Sequence, residues 1–337
     1  MDTLLGQKLG QYEILEEIGR GGMGVVYKGY QPSLNRHVAI KVLPAHLTVS
    51  KELVQRFLRE ATTAGRLHHP NIVTIYDVAQ QDSTYYIAME YVDGKSLKQM
   101  IQESGSLPLE TVARVLTQVT SALDYAHKRG IIHRDIKPSN VLFDSTGRPI
   151  LVDFGIAKAG DATSLTQEGR SLGTVEYMAP EVADGRAATA ASDIYSLGVM
   201  LYEMVVGRVP FKADTPYAVL LGHISKAPPS PRSILPSLPE AVEAVLLKAL
   251  AKDPASRYAT ALDIAREFEQ AIHGAPVPVA VTLAPQPAVP AFELPFDTLP
   301  EEPQPGALKT MIIAAVIGGG LALVVMGAAA AWYFLFH

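Results

Sequence analysis

With 337 residues the chain has the length of one large domain or two small ones, and its formal net charge of −5 at pH 7 leaves no basic footprint for broad nucleic-acid binding. The absence of cysteine excludes disulfides, thiolate nucleophiles and Cys-based zinc or iron–sulfur sites, so any metal must sit on oxygen or imidazole ligands. Charged residues make up only 19% of the chain, and the positive mean hydropathy of +0.15 points to one concentrated apolar segment.

Residues 1–6 have no basic start and too short an apolar run for a secretory signal, so the N-terminal part is expected to stay in the cytosol. Residues 10–273 mix apolar and charged side chains as a globular domain does. The segments 12–19 and 25–29 flank a glycine cluster as two strands of a hairpin would. Gly19-Arg20-Gly21-Gly22-Met23-Gly24-Val25-Val26 is a G-x-G-x-x-G-x-V run, in which Gly19, Gly21 and Gly24, followed by Val26, would let backbone amides close over phosphates. Taken alone it also reads as a glycine-rich turn. A dinucleotide-binding turn would need a helix directly after the glycines, and Val25-Val26-Tyr27 favours a strand.

A third strand, 36–43, carries Val38-Ala39-Ile40-Lys41, with a lysine where a cation would hold the α- and β-phosphates of a nucleotide; by itself Lys41 is also a plain surface charge. Over 52–67, Val54, Phe57, Leu58, Ala61, Ala64 and Leu67 recur at helical spacing. Glu60 lies on the side of Phe57 and Ala64, where it would pair with Lys41 if that face meets the strand. Further helices are expected over 108–128 and 241–251. Early strands followed by later helices suggest a two-lobed α+β domain.

Three more motifs follow in order: His133-Arg134-Asp135-Ile136-Lys137-Pro138-Ser139-Asn140, Asp153-Phe154-Gly155 and Ala179-Pro180-Glu181. Asn140 and Asp153 offer a neutral and an anionic oxygen, the ligand type of hard divalent cations. With these motifs the chain resembles a eukaryotic-like protein kinase over residues 10–273, and is similar above all to the membrane-bound Ser/Thr kinases of bacteria. The resemblance implies a small, mainly β N-lobe and a larger, mainly α C-lobe, with ATP and Mg²⁺ as cofactors, Mn²⁺ as a substitute, and proteins as substrates. It implies that Asp135 accepts the substrate hydroxyl's proton and that Lys137, a mark of the Ser/Thr class, reaches the transferring phosphate. Asn140 and Asp153 would hold the metal, and Lys41 with Glu60 the α- and β-phosphates. Met89 would be the gatekeeper of a strand and hinge whose Glu90 and Val92 receive adenine. Glu181 and Arg257 would form a buried ion pair under the substrate platform, and Asp193 would steady the catalytic loop. A membrane-tethered pseudokinase scaffold would lack one of these parts, whereas Lys41, Glu60, Asp135, Asn140 and Asp153 are all present. The segment 173–181 resembles a platform for a protein substrate and argues against a small-molecule kinase. His68 and His69 read as part of a structural turn.

Residues 274–308 hold nine prolines and no Lys or Arg, the composition of a disordered juxtamembrane linker. Residues 311–336 carry no charge over twenty-six positions, where about 20 suffice to cross the hydrocarbon layer. They are expected to form one transmembrane helix fixing the chain to the cell membrane, with the kinase domain in the cytoplasm and Lys309 on the same side. Ala314, Gly318 and Ala322 form a small-residue stripe that would suit a homodimer. Between the Asp153 and Glu181 motifs, phosphorylation of Thr166 is expected to order the loop against Arg134, with Glu168 supplying part of the charge permanently.

Overall fold

A computed structural model describes residues 4–21, 24–43, 48, 51–154 and 175–274, apart from the side chains of 51–53, 56, 59, 60 and 63. The chain begins with a six-stranded antiparallel sheet in the order β1-β2-β3-β4-β6-β5. Its strands are β1 Lys8–Leu9, β2 Tyr12–Gly21, β3 Gly24–Gln31, β4 Arg36–Val42, β5 Ile75–Gln81 and β6 Thr84–Glu90. The two strands expected around the glycines run further than their composition suggests. Gly19 pairs with Val26 and Gly21 with Gly24, so the ladder continues through the glycines.

Side chains alternate across a strand, and this places Lys41. Val38, Ile40 and Val42 of β4 pack on one face of the sheet with Tyr12, Ile14, Tyr27 and Tyr86. Ala39 and Leu43 pack on the other with Ile87 and Met89 of β6 and with Val54, Phe57 and Ala61 of helix α1, Lys51–Ala64. Lys41 shares that second face. Each fully buried large apolar side chain contributes about 1.5–3 kcal/mol relative to exposure, which holds α1 against the sheet. The helix ends at Ala64, short of the expected Leu67, because the amide of Gly65 closes the last turn on Ala61 O at 2.8 Å and the chain then turns away. Leu67 is still buried.

After β6 the chain enters a helical lobe: α2 Leu97–Ser104, α3 Leu109–His127, α4 Pro180–Ala183, α5 Ala190–Val206, α6 Pro216–Ser225, α7 Glu240–Ala249 and α8 Ala261–His273. The expected helices 108–128 and 241–251 correspond to α3 and α7. Ser96 and Gln99 cap α2 reciprocally. Asp124 of α3 accepts the first amides of α8, Ala261 N–H at 2.9 Å and Leu262 N–H at 3.3 Å, which fixes the two helices together. Fourteen of the seventeen residues of α5 are buried, so this helix is the core around which the others pack. It stops at Gly207, whose φ of +83° is left-handed. A Cβ there would lie 2.6 Å from the carbonyl oxygen of Gly105, just past the end of α2.

A short hairpin, β7 Val141–Phe143 with β8 Pro149–Leu151, follows α3 within the helical lobe. Leu151 bridges to Ile72 and Ser96 to Leu142. The hairpin carries the catalytic motif on one side and Asp153 on the other. Among the described residues no helix is long and apolar enough to cross a membrane. The expected linker 274–308 lies, after Gly274, outside the described residues, as do the span 311–336 with its stripe Ala314, Gly318 and Ala322, and the loop holding Thr166 and Glu168.

Candidate active site

Residues 133–135 follow α3 and precede a 3-10 turn, Pro138–Asn140. Their conformation is imposed from α5. Asp193, 1% exposed, accepts His133 N–H at 2.7 Å on Oδ2 and Arg134 N–H at 2.8 Å on Oδ1. Arg134 is held at φ +66°, a region that costs a non-glycine residue about 1–2 kcal/mol, so the two bonds to a buried carboxylate offset real strain. The His133 ring is fully buried. Its Nδ1 accepts Asp135 N–H at 3.2 Å and its Nε2 lies 3.0 Å from Val152 O, which requires the neutral ring with the proton on Nε2. Burial lowers its pKa in the same sense. Its ring also packs on Phe154, with centroids 4.4 Å apart. One imidazole thus ties the segment of Asp135 to that of Asp153, which itself stands at φ +58°.

Around the Asp135 carboxylate the charges are arranged. Lys137 Nζ lies 2.9 Å from its Oδ2. Asn140 Nδ2 donates to Asp135 O at 2.8 Å and to Oδ2 at 3.1 Å. With its nitrogen so committed, Asn140 presents Oδ1, which accepts no hydrogen bond among the described residues. Asp153 uses Oδ1 to meet Lys41 Nζ at 2.7 Å. An amide oxygen and a carboxylate are hard donors suited to Mg²⁺-like cations. Among the described residues no group of three His, Cys, Asp or Glu could by itself hold a metal ion, so such a cation would take its remaining oxygens from phosphate and water.

Lys41 is 6% exposed and sits in a cross-strand row, opposite Val26 on one side and Ile87 on the other, with Gly19 beyond Val26. The glycine strands therefore pass directly beside the buried ammonium. Among the described residues, a Cβ built on Gly21 would meet nothing within 4 Å, and one on Gly19 only Val26 Cβ at 3.9 Å. The fold itself does not demand these glycines, which leaves close approach of another molecule as their use. Gly24 faces Gly21. On β6, Met89 is buried at 6% exposure and pairs with Ala39 and Ile75. The Glu90 amide is spent on Thr74 O at 2.9 Å, while the Val92 amide has no partner among the described residues and is available to an adenine edge. The Glu60 side chain, Gly155 and Thr166 lie outside the described residues.

Below the site, Glu181 and Arg257 form the expected buried pair. Arg257 gives Nη1 and Nη2 to the two carboxylate oxygens at 2.8 and 2.7 Å, and its remaining donors to the carbonyls of Ala251, Ala191 and Lys252. All five guanidinium N–H groups are used. Ser192 Oγ adds a bond to Glu181 Oε1 at 2.7 Å. His69 is structural as expected, accepting Asn71 N–H on Nδ1 at 3.1 Å. Two features escaped the sequence reading. His127 Nε2 lies 2.8 Å from Asp193 Oδ2, and buried Glu203 joins Lys98 Nζ at 2.7 Å to the hydroxyl of Tyr177. Both contacts span more than sixty residues except for Tyr177, and no local pattern announces them.

The family model of the protein kinase domain matches residues 12–269. The chain belongs to the protein kinase family. The kinase domain is 44% identical over 269 residues to the serine/threonine-protein kinase PrkC of Bacillus subtilis, an alignment covering 80% of this chain and 42% of that one. It is 46% identical over 249 residues to a probable serine/threonine-protein kinase PknB of Lactococcus lactis, covering 74% of this chain and 40% of that one. The chain thus spans about two fifths of the length of these curated relatives. Among solved structures, the PknI kinase domain of Mycobacterium tuberculosis superposes with a TM-score of 0.65 at 31% identity, covering 81% of this chain and 100% of that one.

Proposed function

We propose that the chain is a membrane-anchored Ser/Thr protein kinase that transfers the γ-phosphoryl group of ATP to protein hydroxyls, its own among them. The observation that carries this reading is the pairing of Asp135 with Lys137 and Asn140 and of Asp153 with Lys41 through bonds of 2.7–3.1 Å, the two segments being tied by Val152 N–H to Asn140 O at 2.9 Å. The relatives named as serine/threonine-protein kinases support it. In the transfer, the substrate oxygen forms a bond to the γ-phosphorus, the bond from that phosphorus to the ADP oxygen breaks, and the hydroxyl proton passes to Asp135 Oδ1 or Oδ2. Lys137, already on Asp135, balances charge on the group in flight, and Lys41 binds the α- and β-phosphates. Gly19, Gly21, Gly24 and Val26 cover the phosphates, Glu60 orients Lys41, and Met89, Glu90 and Val92 receive adenine. Asn140 and Asp153 would hold Mg²⁺, which neutralises phosphate charge when bound.

The remaining parts of the reading are a kinase domain over 10–273, a linker over 274–308, a span over 311–336 that leaves the kinase in the cytoplasm, self-association through the span, and control by phosphorylation of Thr166. The apolar, uncharged composition of 311–336 supports the anchor. The central test incubates the purified chain with labelled ATP, Mg²⁺ and a generic protein substrate, followed by phosphoamino-acid analysis. Label on serine and threonine, lost in Asp135→Asn, supports the kinase; nucleotide binding without transfer would establish a scaffold instead.

A further inference from the structure

We infer that Lys98 is a specificity-determining residue: it supplies from the chain itself the cation that the buried Glu203 carboxylate would otherwise take from a substrate, so that the acceptors chosen carry no basic side chain beside the phosphorylated hydroxyl. This rests on the kinase reading above. Glu203, near the end of α5, is 3% exposed, and a buried charge is tolerated only when it is paired. The Tyr177 hydroxyl donates to its Oε2, and Lys98 Nζ lies 2.7 Å from its Oε1 across 105 residues of sequence. Among the described residues Lys98 is the one cation on this carboxylate. Its helix is fixed at both ends. Ser96 bridges to Leu142 just before α2, and beyond it Leu107 N–H donates to Met204 O at 2.8 Å, one residue past Glu203. The same helix packs on the turn Pro138–Asn140, whose Asn140 holds Asp135. Tyr177 belongs to 173–181, the segment that resembles a platform for a protein substrate, and Ser196 Oγ fixes its carbonyl at 2.7 Å. The Lys98–Glu203 pair therefore links the helix beside the catalytic turn to the platform. Of the two charges Lys98 is the one that reaches water, with 35% of its side chain exposed against 4% for Glu203. An arriving arginine meets an ammonium first, with the carboxylate behind it already satisfied. Glu176, next to Tyr177, lies among the same charges: burial raises its pKa, Lys98 opposes this, Glu203 reinforces it and Lys212 opposes it. Two lysines thus flank this end of the platform, and like charge across an interface selects against a partner. Without Lys98, the buried Glu203 would offer a substrate guanidinium a charge-assisted bond.

The test uses the purified chain and alanine-rich peptides with one threonine, in which a single Arg or Glu is moved through the flanking positions. The kcat/KM values and thermal midpoints are measured for wild type, Lys98→Ala, Glu203→Gln and the double variant. Wild type should gain no more than about twofold from Arg at any position. In Lys98→Ala, Arg at one position should raise kcat/KM about tenfold, the lower end for a charge-assisted bond, chiefly through KM. The double variant, with the carboxylate gone, should lose that gain. Glu203→Gln frees the Lys98 ammonium and should favour Glu at the same position about threefold, which decides the matter if Lys98→Ala does not fold. An Arg preference already present in wild type, an equal loss toward every peptide in Lys98→Ala, a gain that survives in the double variant, or an unchanged profile in Glu203→Gln overturns the inference. If the wild-type chain transfers phosphate to no protein or peptide, the kinase reading falls, and fluorescence anisotropy of the same peptides decides the role of Lys98: tighter binding of an Arg peptide by Lys98→Ala than by wild type supports it, and equal binding overturns it.

Discussion

Lys41 Nζ and Asp153 Oδ1 meet at 2.7 Å across 112 residues of sequence, joining the second face of the sheet to the segment after β8. Each holds the other beside the glycine strands. The phosphates of a nucleotide and its cation compete for these same two groups, so either substitution should remove function without removing the fold. Lys41→Met and Asp153→Asn are each expected to lower transfer on the order of 100-fold or more while the thermal midpoint moves little. Calorimetric titration separates them: Lys41→Met should weaken nucleotide binding, and Asp153→Asn should weaken its dependence on Mg²⁺. Autophosphorylation of Asp153→Asn at the wild-type rate would remove Asp153 from the metal site.

The Glu181–Arg257 pair predicts a stability effect of different character. Removing one partner of a buried, doubly hydrogen-bonded pair costs about 3–5 kcal/mol, and Arg257→Lys should share most of that loss, since an ammonium offers three donors where five are used. Burial alone would raise the Glu181 pKa, but its bonds from Arg257 and Ser192 prevail and hold the carboxyl below its ordinary value. The carboxylate's contribution is therefore complete above the ordinary value of 4.5 and is lost as pH falls through the lower folded value. Chemical denaturation at neutral pH and near pH 3 should show the gap between wild type and Glu181→Gln narrowing in acid.

Buried imidazoles weaken the fold earlier on the acid side. Burial, aided by the Lys252 charge, pushes His223 down to about 3, with the Glu176 backbone pulling weakly the other way. Its Nδ1 meets the Tyr195 hydroxyl at 2.9 Å, whereas among the described residues Nε2 makes no hydrogen bond of ordinary geometry, only the weak approach to the Glu176 backbone. An unfolded histidine takes up its proton below its ordinary 6.5 and the folded one does not, so stability declines as pH falls from about 6.5 toward 3. His223→Phe should flatten the thermal midpoint over that interval; an unchanged slope would show that the ring charges freely in the folded protein.

Regulation and anchoring make two further expectations. Thr166→Ala should reduce activity toward an added protein several-fold, as loss of a phosphate that pairs with arginine would, while Thr163→Ala leaves it near wild type; phosphosite mapping after incubation with ATP checks which residue carries the group.

Truncation after residue 309 should move the protein from the membrane pellet to the soluble fraction without changing its turnover. Persistence in the pellet would mean that another part of the chain holds the membrane.

How much of this was legible depended on distance along the chain. Phosphoryl transfer needs charged and oxygen-bearing groups at fixed mutual positions, and Asp135, Lys137 and Asn140 lie within one short turn, so their spacing alone announces them. The alternation of β4 likewise places Lys41 on the face opposite Ile40. The Lys41–Asp153 contact was not readable, because Glu60 on the neighbouring helix offered an equally reasonable partner. His127 looks like any polar residue at a helix end until α5 folds beside it. The extent of β2 and β3 was underestimated because glycine disfavours strands in general, whereas here backbone pairing carries the ladder through Gly19 and Gly21. The start of α2 had a local signal in Ser96 and Gln99, a cap pattern only four residues long.

The meeting of Gly207 with the Gly105 carbonyl bears on which sequences this fold can accept. A side chain at 207 would be opposed twice, by a left-handed backbone and by a carbonyl 2.6 Å from its first carbon, and relief of one constraint leaves the other. Saturation mutagenesis at this position should therefore return glycine alone, and a shift of α2 that made space would carry with it the hinge from which that helix departs.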